Sequence, residues 1–354
     1  MHKTGLFLLC TLYEMTKRYL QTVHKVLIFA QEMKVNSIYK TGGNGMDLYS
    51  IGEMVIDFIP GSEPASYVRK AGGAPANVAF AVVKNDLEAG MNCSVGDDDF
   101  GHFLMDTLYE YGVRCLNPRL CKEAITTMAF VTLAPDGDRS FTFARKPGAD
   151  MFLTEDDVKE ADIEESMIVH AGSCSLSASP VDKATMKALR LGHEKGKIVS
   201  FDVNYRNLMW NDDQQTCTNK VLECLPYVDI LKISEEEVEM MGGEAGLPDL
   251  MKKYGITLIV ETLGSEGAKC YFKDEVLHVP GRKAVCVDAT GAGDAFWGGF
   301  LSSLRIQGIS HVSELTAEII QKALTYGNVA GWLCVQSKGA IPSLPSREKI
   351  EEYL

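Results

Sequence analysis

Apolar runs of strand length alternate with stretches of helical periodicity along the chain from about residue 46 onward. The first run, "LYSIGEMVIDFI", predicts a strand, and "GGAPANVAFAVVKND" predicts a small-residue helix that begins after two glycines. Four later apolar runs also predict strands: "SMIVHAG", "KIVSFDVN", "DILKIS" and "ITLIVETLG". Strands that alternate with helices are typical of a parallel sheet covered on both faces. The pattern therefore predicts an α/β domain over residues 46–354, with a ligand site at the carboxyl ends of the strands.

Two segments interrupt the alternation and predict antiparallel hairpins. In "TTMAFVTLAPDGDRSFTFAR" two alternating runs flank a Pro-Asp-Gly-Asp turn, and "AKCYFKDEVLHVPG" also has a hairpin pattern. We expect the first hairpin to belong to a small β lid, formed by segments near residues 57–70 and 125–147.

The first 45 residues differ from the remainder in charge and pattern. They contain six basic and two acidic residues, and their apolar run "GLFLLCTL" is too short to span a membrane. We interpret residues 1–45 as an extension outside the fold, disordered or arising from a start site assigned too early. A targeting segment is the less favoured interpretation, because no small-residue cleavage pattern follows the apolar run.

Composition excludes some classes of partner. The 354 residues carry a formal net charge of −13, which disfavours a nucleic-acid backbone or an anionic membrane as the main partner. A phosphate group would therefore have to be bound by local structure. The ten cysteines form no C-x-x-C pair and no cluster at zinc spacing, which favours reduced thiols in a cytoplasmic protein.

The stretch "DATGAGDAFWGGF" (288–300) contains the main candidate chemistry. The run "AVCV" before it predicts a strand, and Gly291 and Gly293 allow a tight turn into a helix whose first amides and positive dipole end can bind an anion. Asp294 lies in that field, where the dipole favours its ionised form, and it can accept a proton from a hydroxyl group. From this fragment alone, a tight turn with an aspartate that caps the helix is an equally good interpretation.

The chain resembles the ribokinase-like (PfkB) carbohydrate kinases. "DATGAGDAFWGGFL" is similar to the C-terminal signature of that family, and "AGGAPANVAFAV" (71–82) is similar to its N-terminal signature. The stretches "FDVNYR", "LKISEEEVE" and 143–150 most resemble fructokinases and 2-keto-3-deoxygluconate kinases, and the resemblance covers roughly residues 48–345. It implies a three-layer α/β/α fold with a mainly parallel central sheet and a small β-sheet lid.

The resemblance also implies a role for individual residues. Asp294 would be the catalytic base, with anion-hole amides from Gly291, Ala292 and Gly293. The sugar would be bound by Asp57, Gly72, Gly73, Asn77, Arg145 and Arg206. The ATP site would include Ser234, Thr262, Gly264, Gly267, Gly291, Gly293 and Asn328. For Asn77, capping of the following helix is an alternative to sugar binding.

Two cation sites are implied in the same way. The N-x-x-E motif of the family, tied to Mg²⁺, is present here with Ser234 in place of the asparagine, followed by a predicted helix "EEEVEMMGG". Glu237 would act on Mg²⁺ through water, since Mg²⁺ gives up its waters reluctantly. Asp288 and Thr290 resemble a site for a monovalent cation such as K⁺.

The resulting hypothesis is an ATP-dependent sugar kinase that converts D-fructose to fructose 6-phosphate and forms a homodimer through its lid. One alternative is a 2-keto-3-deoxygluconate kinase, in which Arg145 or Arg206 would bind the substrate carboxylate. A second alternative, from another functional class, is a regulatory protein that binds sugar without catalysis. The intact Asp294 and its two glycines disfavour that alternative.

Overall fold

The computed structural model describes residues 45–63, 65–133 and 139–354. The prediction for residues 1–45 therefore lies, except for Gly45, outside the described residues. None of the described helices combines the length and apolar character that a membrane span requires.

The described strands form one large sheet and one small sheet. The large sheet has nine strands in the order β13-β12-β11-β10-β9-β8-β1-β4-β5, and all neighbours are parallel except β11–β12 and β12–β13. Its strands are β1 (Met46–Ile51), β4 (Ala89–Asn92), β5 (Arg114–Cys115), β8 (Ser166–Gly172), β9 (Ile198–Asp202), β10 (Ile230–Ser234), β11 (Leu258–Thr262), β12 (Gly267–Phe272) and β13 (Glu275–Pro280). The small sheet, in the order β3-β2-β6-β7, consists of β2 (Val55–Pro60), β3 (Tyr67–Gly72), β6 (Met128–Leu133) and β7 (Arg139–Ala144).

Helices cover both faces of the large sheet. The α-helices of the described residues are α1 (Ala74–Val83), α2 (Asp99–Tyr111), α3 (Glu160–Glu165), α4 (Val181–Glu194), α5 (Gln214–Cys224), α6 (Leu247–Tyr254), α7 (Ala292–Ile306), α8 (Ala317–Cys334), α9 (Ala340–Ser343) and α10 (Arg347–Glu351). Successive strand residues enter different cores: Leu48 packs with α1, α2, α7 and α8, whereas Tyr49 packs with α3 to α6. This two-faced burial, which follows from the period of two along a strand, confirms the predicted three-layer α/β/α architecture.

The first apolar run forms two strands, so the prediction of a single strand is wrong. The chain bends at Gly52, whose φ is +148°, and β1 stays in the large sheet while β2 enters the small one. Apolar runs carry no signal for a change of sheet. The bend matters for the site, because it places Asp57 in the small sheet, whereas the preceding strand β1 belongs to the large sheet.

Two further local predictions are also wrong. The run "AVCV" (284–287) forms no strand: Val285 is 84% exposed, and the backbone is held only where the N–H groups of Val287 and Asp288 donate to the carbonyl of Val335. The segment after β10 forms turns and one short 3-10 helix, Glu239–Met241, in place of the predicted α-helix.

Candidate functional site

The residues singled out in the sequence converge where the small sheet faces the carboxyl ends of the parallel strands. β9 and β10 end at Asp202 and Ser234, and the first turn of α7 brings Asp294 to the same edge. Asp294 Oδ2 accepts a hydrogen bond of 2.7 Å from Asn77 Nδ2, although the two residues are 217 positions apart. The two family signatures therefore meet in one site.

The positions of the helix N-caps contradict one of the alternatives for both residues. The N-cap of α1 is Gly73 and the N-cap of α7 is Gly291. Neither Asn77 nor Asp294 caps a helix, so the capping interpretation is wrong for both. Each side chain is instead buried and directed toward the other.

The pKa of Asp294 is raised by its burial. The hydrogen bond from Asn77 lowers the pKa, the charge of Asp202 raises it, and the charges of Lys232 and Arg206 lower it, but burial prevails. The expectation that the helix dipole alone favours a fully ionised Asp294 is therefore incomplete. A carboxylate with a raised pKa is a stronger base, which suits proton abstraction from a hydroxyl group.

The turn before Asp294 provides free amide donors. Gly291 has a φ of +79°, and a Cβ at this position would lie 2.8 Å from Ala340 Cβ, so only glycine fits. The N–H of Ala292 donates to the carbonyl of Ala289 at 3.2 Å, whereas the N–H groups of Gly291 and Gly293 have no acceptor among the described residues. Within the described part of the chain, the predicted anion hole therefore has two donors without an acceptor and one that is already engaged.

A buried ion pair lies below this turn, and the sequence analysis did not identify it. Lys232 Nζ is 2.7 Å from Asp202 Oδ2, and both side chains are almost fully buried. A Cβ on Gly293 would lie 3.7 Å from Lys232 Nζ. Burial lowers the pKa of Lys232, but the carboxylates of Asp202, Glu237 and Asp294 raise it above the usual value. The signal in the sequence was a lysine inside the apolar strand "DILKIS", where an unpaired charge would be costly.

Glu237 joins the ends of two strands. Its Oε1 accepts from the Tyr205 amide at 2.6 Å, and its Oε2 accepts from the Ser234 amide at 2.9 Å. Burial and the charge of Asp202 raise the pKa of Glu237, while Lys232 lowers it. In the described residues no group of three His, Cys, Asp or Glu side chains could hold a metal ion.

The small sheet contributes Asp57, which lies close to the backbone of β3. A Cβ on Gly72 would lie 2.1 Å from Asp57 Oδ2, so glycine is required here for the carboxylate to approach the backbone. Burial and the charge of Asp294 raise the pKa of Asp57 to about 7, and the charge of Arg206 lowers it. Asp57, Asp294 and Arg206 therefore interact electrostatically.

The two arginines singled out in the sequence differ in their surroundings. Arg206 is exposed over much of its surface. Partial desolvation of its guanidinium lowers its pKa, but the negative charges of the Cys174 thiolate and of the Asp294 and Glu237 carboxylates raise the pKa above its usual value. Arg145 is buried: its Nε donates to Asp150 Oδ2 at 2.8 Å. Its Nη1 donates to Ser177 Oγ at 3.0 Å, so Arg145 anchors the end of β7 to the large domain. Contact of Arg145 with a substrate stays a prediction.

The residues assigned to a nucleotide site follow the ends of β10 and β11. Thr262 Oγ1 donates to the carbonyl of Ile233 at 3.4 Å. Gly264 lies in the turn after β11, and Gly267 begins β12. Asn328 Nδ2, on α8, donates to the carbonyl of Val279 at 2.9 Å and so fixes the end of β13 to the helix. Contact of these residues with a nucleotide stays a prediction.

Asp288 fixes the loop that precedes α7. Its Oδ1 accepts from the Thr290 amide at 2.8 Å, and its Oδ2 accepts from the Gly339 amide at 3.0 Å. The carboxylate is buried, and it ties the glycine-rich turn to the segment before α9. A cation at Asp288 and Thr290 stays a prediction.

Comparison with known proteins identifies the family of this site. The pfkB family carbohydrate kinase profile matches residues 46–347. The chain belongs to the pfkB family of carbohydrate kinases. Fructokinase-1 of Oryza sativa subsp. japonica is 37% identical over 311 residues, covering 85% of this chain and 95% of the relative. Fructokinase-1 of Zea mays is 37% identical over 316 residues, covering 86% of this chain and 96% of the relative.

Solved structures of this family have the same fold. A fructokinase from Xylella fastidiosa with bound ATP has a TM-score of 0.80 and 28% identity, covering 86% of this chain and 97% of its own. A fructokinase from Vibrio cholerae O395 with fructose, ADP and a calcium ion has a TM-score of 0.79 and 32% identity, covering 88% and 100%. The predicted family and kinase class are therefore confirmed.

The raised pKa of Asp57 predicts how stability depends on pH. Because the folded-state pKa of about 7 exceeds the unfolded value of about 3.9, the folded state binds more protons between these pH values. The free energy of unfolding should therefore fall as pH rises from about 4 to 7, and level off above. We expect Asp57→Asn to be more stable than the wild type at pH 8, by on the order of 1–3 kcal/mol.

Urea unfolding from pH 5 to 8 measures this difference. The matched control is Asp156→Asn, which changes an exposed aspartate outside the site and should keep the wild-type slope. An Asp57→Asn slope equal to that of the wild type would show that the folded-state pKa of Asp57 does not lie in this range.

Proposed function

We propose that this protein is an ATP-dependent fructokinase that transfers the γ-phosphoryl group to the 6-hydroxyl of D-fructose. The observation that carries the proposal is the pair Asp294–Asn77, bonded at 2.7 Å beside the unoccupied amides of Gly291 and Gly293. The fructokinases among the relatives support fructose as the substrate.

The proposed step needs one base and one anion site. The fructose hydroxyl oxygen forms a bond to the γ-phosphorus while the bond from that phosphorus to the β-bridging oxygen breaks, and ADP leaves. The hydroxyl proton passes to the Asp294 carboxylate. The amides of Gly291 and Gly293 stabilise the charge on the transferred group, and the buried Lys232 adds a positive potential from below.

We assign the sugar to the space between Asp57, Asn77 and the turn at Gly72 and Gly73. Carboxylate and amide side chains can bind adjacent hydroxyls, because together they offer acceptors and donors. The cation of Arg206 lies near both Asp57 and Asp294. Its charge helps both carboxylates to remain ionised when a sugar displaces water.

We assign ATP to the ends of β10 and β11 and to α8, at Ser234, Thr262, Gly264, Gly267 and Asn328. Mg²⁺, when bound, neutralises charge on the phosphates. The donor set fits a Mg²⁺ held by phosphates and water, because both Glu237 oxygens already accept backbone hydrogen bonds. In the same proposal K⁺ binds at Asp288 and Thr290; the structure of a related Vibrio cholerae fructokinase double mutant in a potassium-bound form supports this.

The assembly and location are also proposed. Tyr67 and Val68 on the edge strand β3 are 48% and 47% exposed, and an exposed apolar strand edge favours pairing with a second copy. We therefore propose a homodimer formed through the lid. A cytoplasmic location stays a prediction; it is supported by the nine cysteines of the described residues, which are all unpaired.

A sugar panel tests the function directly. Purified protein with Mg-ATP should release ADP with fructose, and much less with 2-keto-3-deoxygluconate or ribose. An acid sugar would need a cation for its carboxylate: the guanidinium of Arg145 is already engaged by Asp150, so Arg206 is the arginine whose contact with an acid sugar the panel tests. Aminoimidazole riboside is added to the panel because a solved relative at 26% identity is an aminoimidazole riboside kinase. Turnover of another sugar alone would refute fructose, and saturable sugar binding without turnover would support the regulatory alternative.

A further inference from the structure

We propose that Lys70, on the lid strand β3, is a cation that contacts the phosphate groups of the nucleotide from the lid side. This inference rests on the proposed kinase function. It assigns to the reaction a residue that neither family signature includes and that the sequence analysis did not single out.

The register of the small sheet directs Lys70 toward the site. Asp57 and Lys70 are directly opposed in the antiparallel pair β2–β3, and opposed residues project from the same face of a sheet. That face is the one that Asp57 presents to Asp294. The adjacent Arg69 projects from the other face, where its guanidinium lies 3.9 Å from the centre of the Phe103 ring on α2.

The end of the Lys70 side chain lies by Gly339. A Cβ on Gly339 would lie 3.9 Å from Lys70 Cε. The residue after Gly339 is Ala340, the same residue that packs against Gly291 at the start of α7. The amide of Gly339 is bound by Asp288, immediately before the glycine-rich turn. The end of Lys70 is therefore beside the segment that closes the phosphate side of the site.

The charge of Lys70 has no partner in the described part of the chain. Its Nζ makes no hydrogen bond or ion pair with a described residue, although the side chain is half-buried. Asp57, opposite in register, interacts electrostatically with Asp294 and Arg206. Among the described residues this half-buried ammonium has no carboxylate partner, and its Cε lies by Gly339, next to the residue that packs against Gly291; a cation in that position fits a polyanion. Since the protein as a whole carries a charge of −13, a triphosphate depends on such local cations.

Because Lys70 lies on the lid, its effect on the reaction should depend on the position of the lid. Asp57 and Lys70 belong to the same sheet, so the element that contacts the sugar would also bring a charge to the phosphates. Lys70 would then stabilise the transferring group most when the lid covers a bound sugar, and it would contribute more to kcat than to the binding of either substrate alone.

The test compares Lys70→Met, Lys70→Arg and the matched control Arg69→Met. Both methionine variants remove one positive charge from neighbouring positions of the same strand, on opposite faces of the sheet. We expect Lys70→Met to lower kcat by on the order of 10- to 100-fold. The Kd values for fructose and Mg-ADP, measured by calorimetry, should stay within about threefold of the wild type. Lys70→Arg should keep most of the activity, and Arg69→Met should stay within about twofold.

Three results for the variants overturn the inference. A kcat of Lys70→Met near that of the wild type shows that the lysine does not act in the reaction. Equal losses in Lys70→Met and Arg69→Met indicate a general effect of charge or lid stability, and a loss confined to fructose affinity assigns Lys70 to the sugar. If thermal melting shows that Lys70→Met does not fold, Lys70→Gln, which also removes the charge, takes its place in the comparison with Arg69→Met. If the wild type phosphorylates a different sugar, the assignment of fructose is wrong but the inference about Lys70 still stands to be tested, and the variants are compared on that sugar. If the wild type turns over no sugar, both proposals are contradicted.

Discussion

Asp294→Asn should retain the fold and nucleotide affinity but lose nearly all turnover, with kcat reduced by about 10³- to 10⁴-fold. The amide has the size of the carboxylate and still offers an oxygen to Asn77 Nδ2, now 2.7 Å from Asp294 Oδ2. It cannot take up the proton of the hydroxyl group. Because burial raises the pKa of Asp294, removal of its charge should not lower the melting temperature.

Coupled assays of ADP release with fructose measure the loss, and calorimetry with Mg-ADP measures the retained affinity. The matched control is Asp99→Asn, which makes the same change in the first turn of α2, where the aspartate is exposed and outside the site. That variant should keep wild-type kcat. If Asp294→Asn retains more than a tenth of the activity, another group is the base and the proposed mechanism is wrong.

The fold could be predicted because it depends on short-range patterns. The alternation of apolar runs and amphipathic helices, together with glycine turns, predicted a parallel sheet between two helical layers. Leu48 and Tyr49 illustrate this two-faced burial, since these neighbours in one strand pack into the two separate cores. The split of the first run at Gly52 could not be predicted, because the hydrophobic pattern of a strand is the same whichever sheet the strand joins.

The exposure of residues 284–287 escaped sequence analysis for a different reason. An apolar run predicts burial only if a neighbouring strand is free to pair with it. Here the antiparallel hairpin β12–β13 forms the edge of the sheet, and among the described residues the backbone of the run is hydrogen-bonded only to the carbonyl of Val335. The sequence of residues 284–287 has a strand-like pattern, but these residues pair with no strand of the described sheet.

The site was predicted unevenly. Asp294 and Asn77 were singled out because they lie in two motifs, and the structure joins them by one hydrogen bond. Lys232 was not found, because its importance depends on Asp202, 30 residues away, and on the turn at Gly293. A charge inside a buried strand was visible in the sequence, but its partner was not. Arg145 was found, yet Asp150 holds its guanidinium, which no spacing in the sequence indicates.

Lys232→Met should have the largest effect on stability, because it leaves Asp202 buried without its cation. The two groups are 2.7 Å apart, with side-chain exposures of 7% and 3%. Loss of one partner of a buried ion pair costs about 3–5 kcal/mol, since the remaining charge is desolvated and unpaired. Urea unfolding should show this loss, and kcat should fall by on the order of 10²-fold because the anion hole loses its positive potential.

The double variant Lys232→Met with Asp202→Asn separates these two effects. Removal of both charges should recover most of the lost free energy of unfolding, because a neutral pair carries no desolvated charge. It should not recover kcat, because the potential below Gly293 depends on the lysine and not on the stability of the fold. If kcat returns together with stability, Lys232 has only a structural role, and the amides of Gly291 and Gly293 must stabilise the transferred group without it.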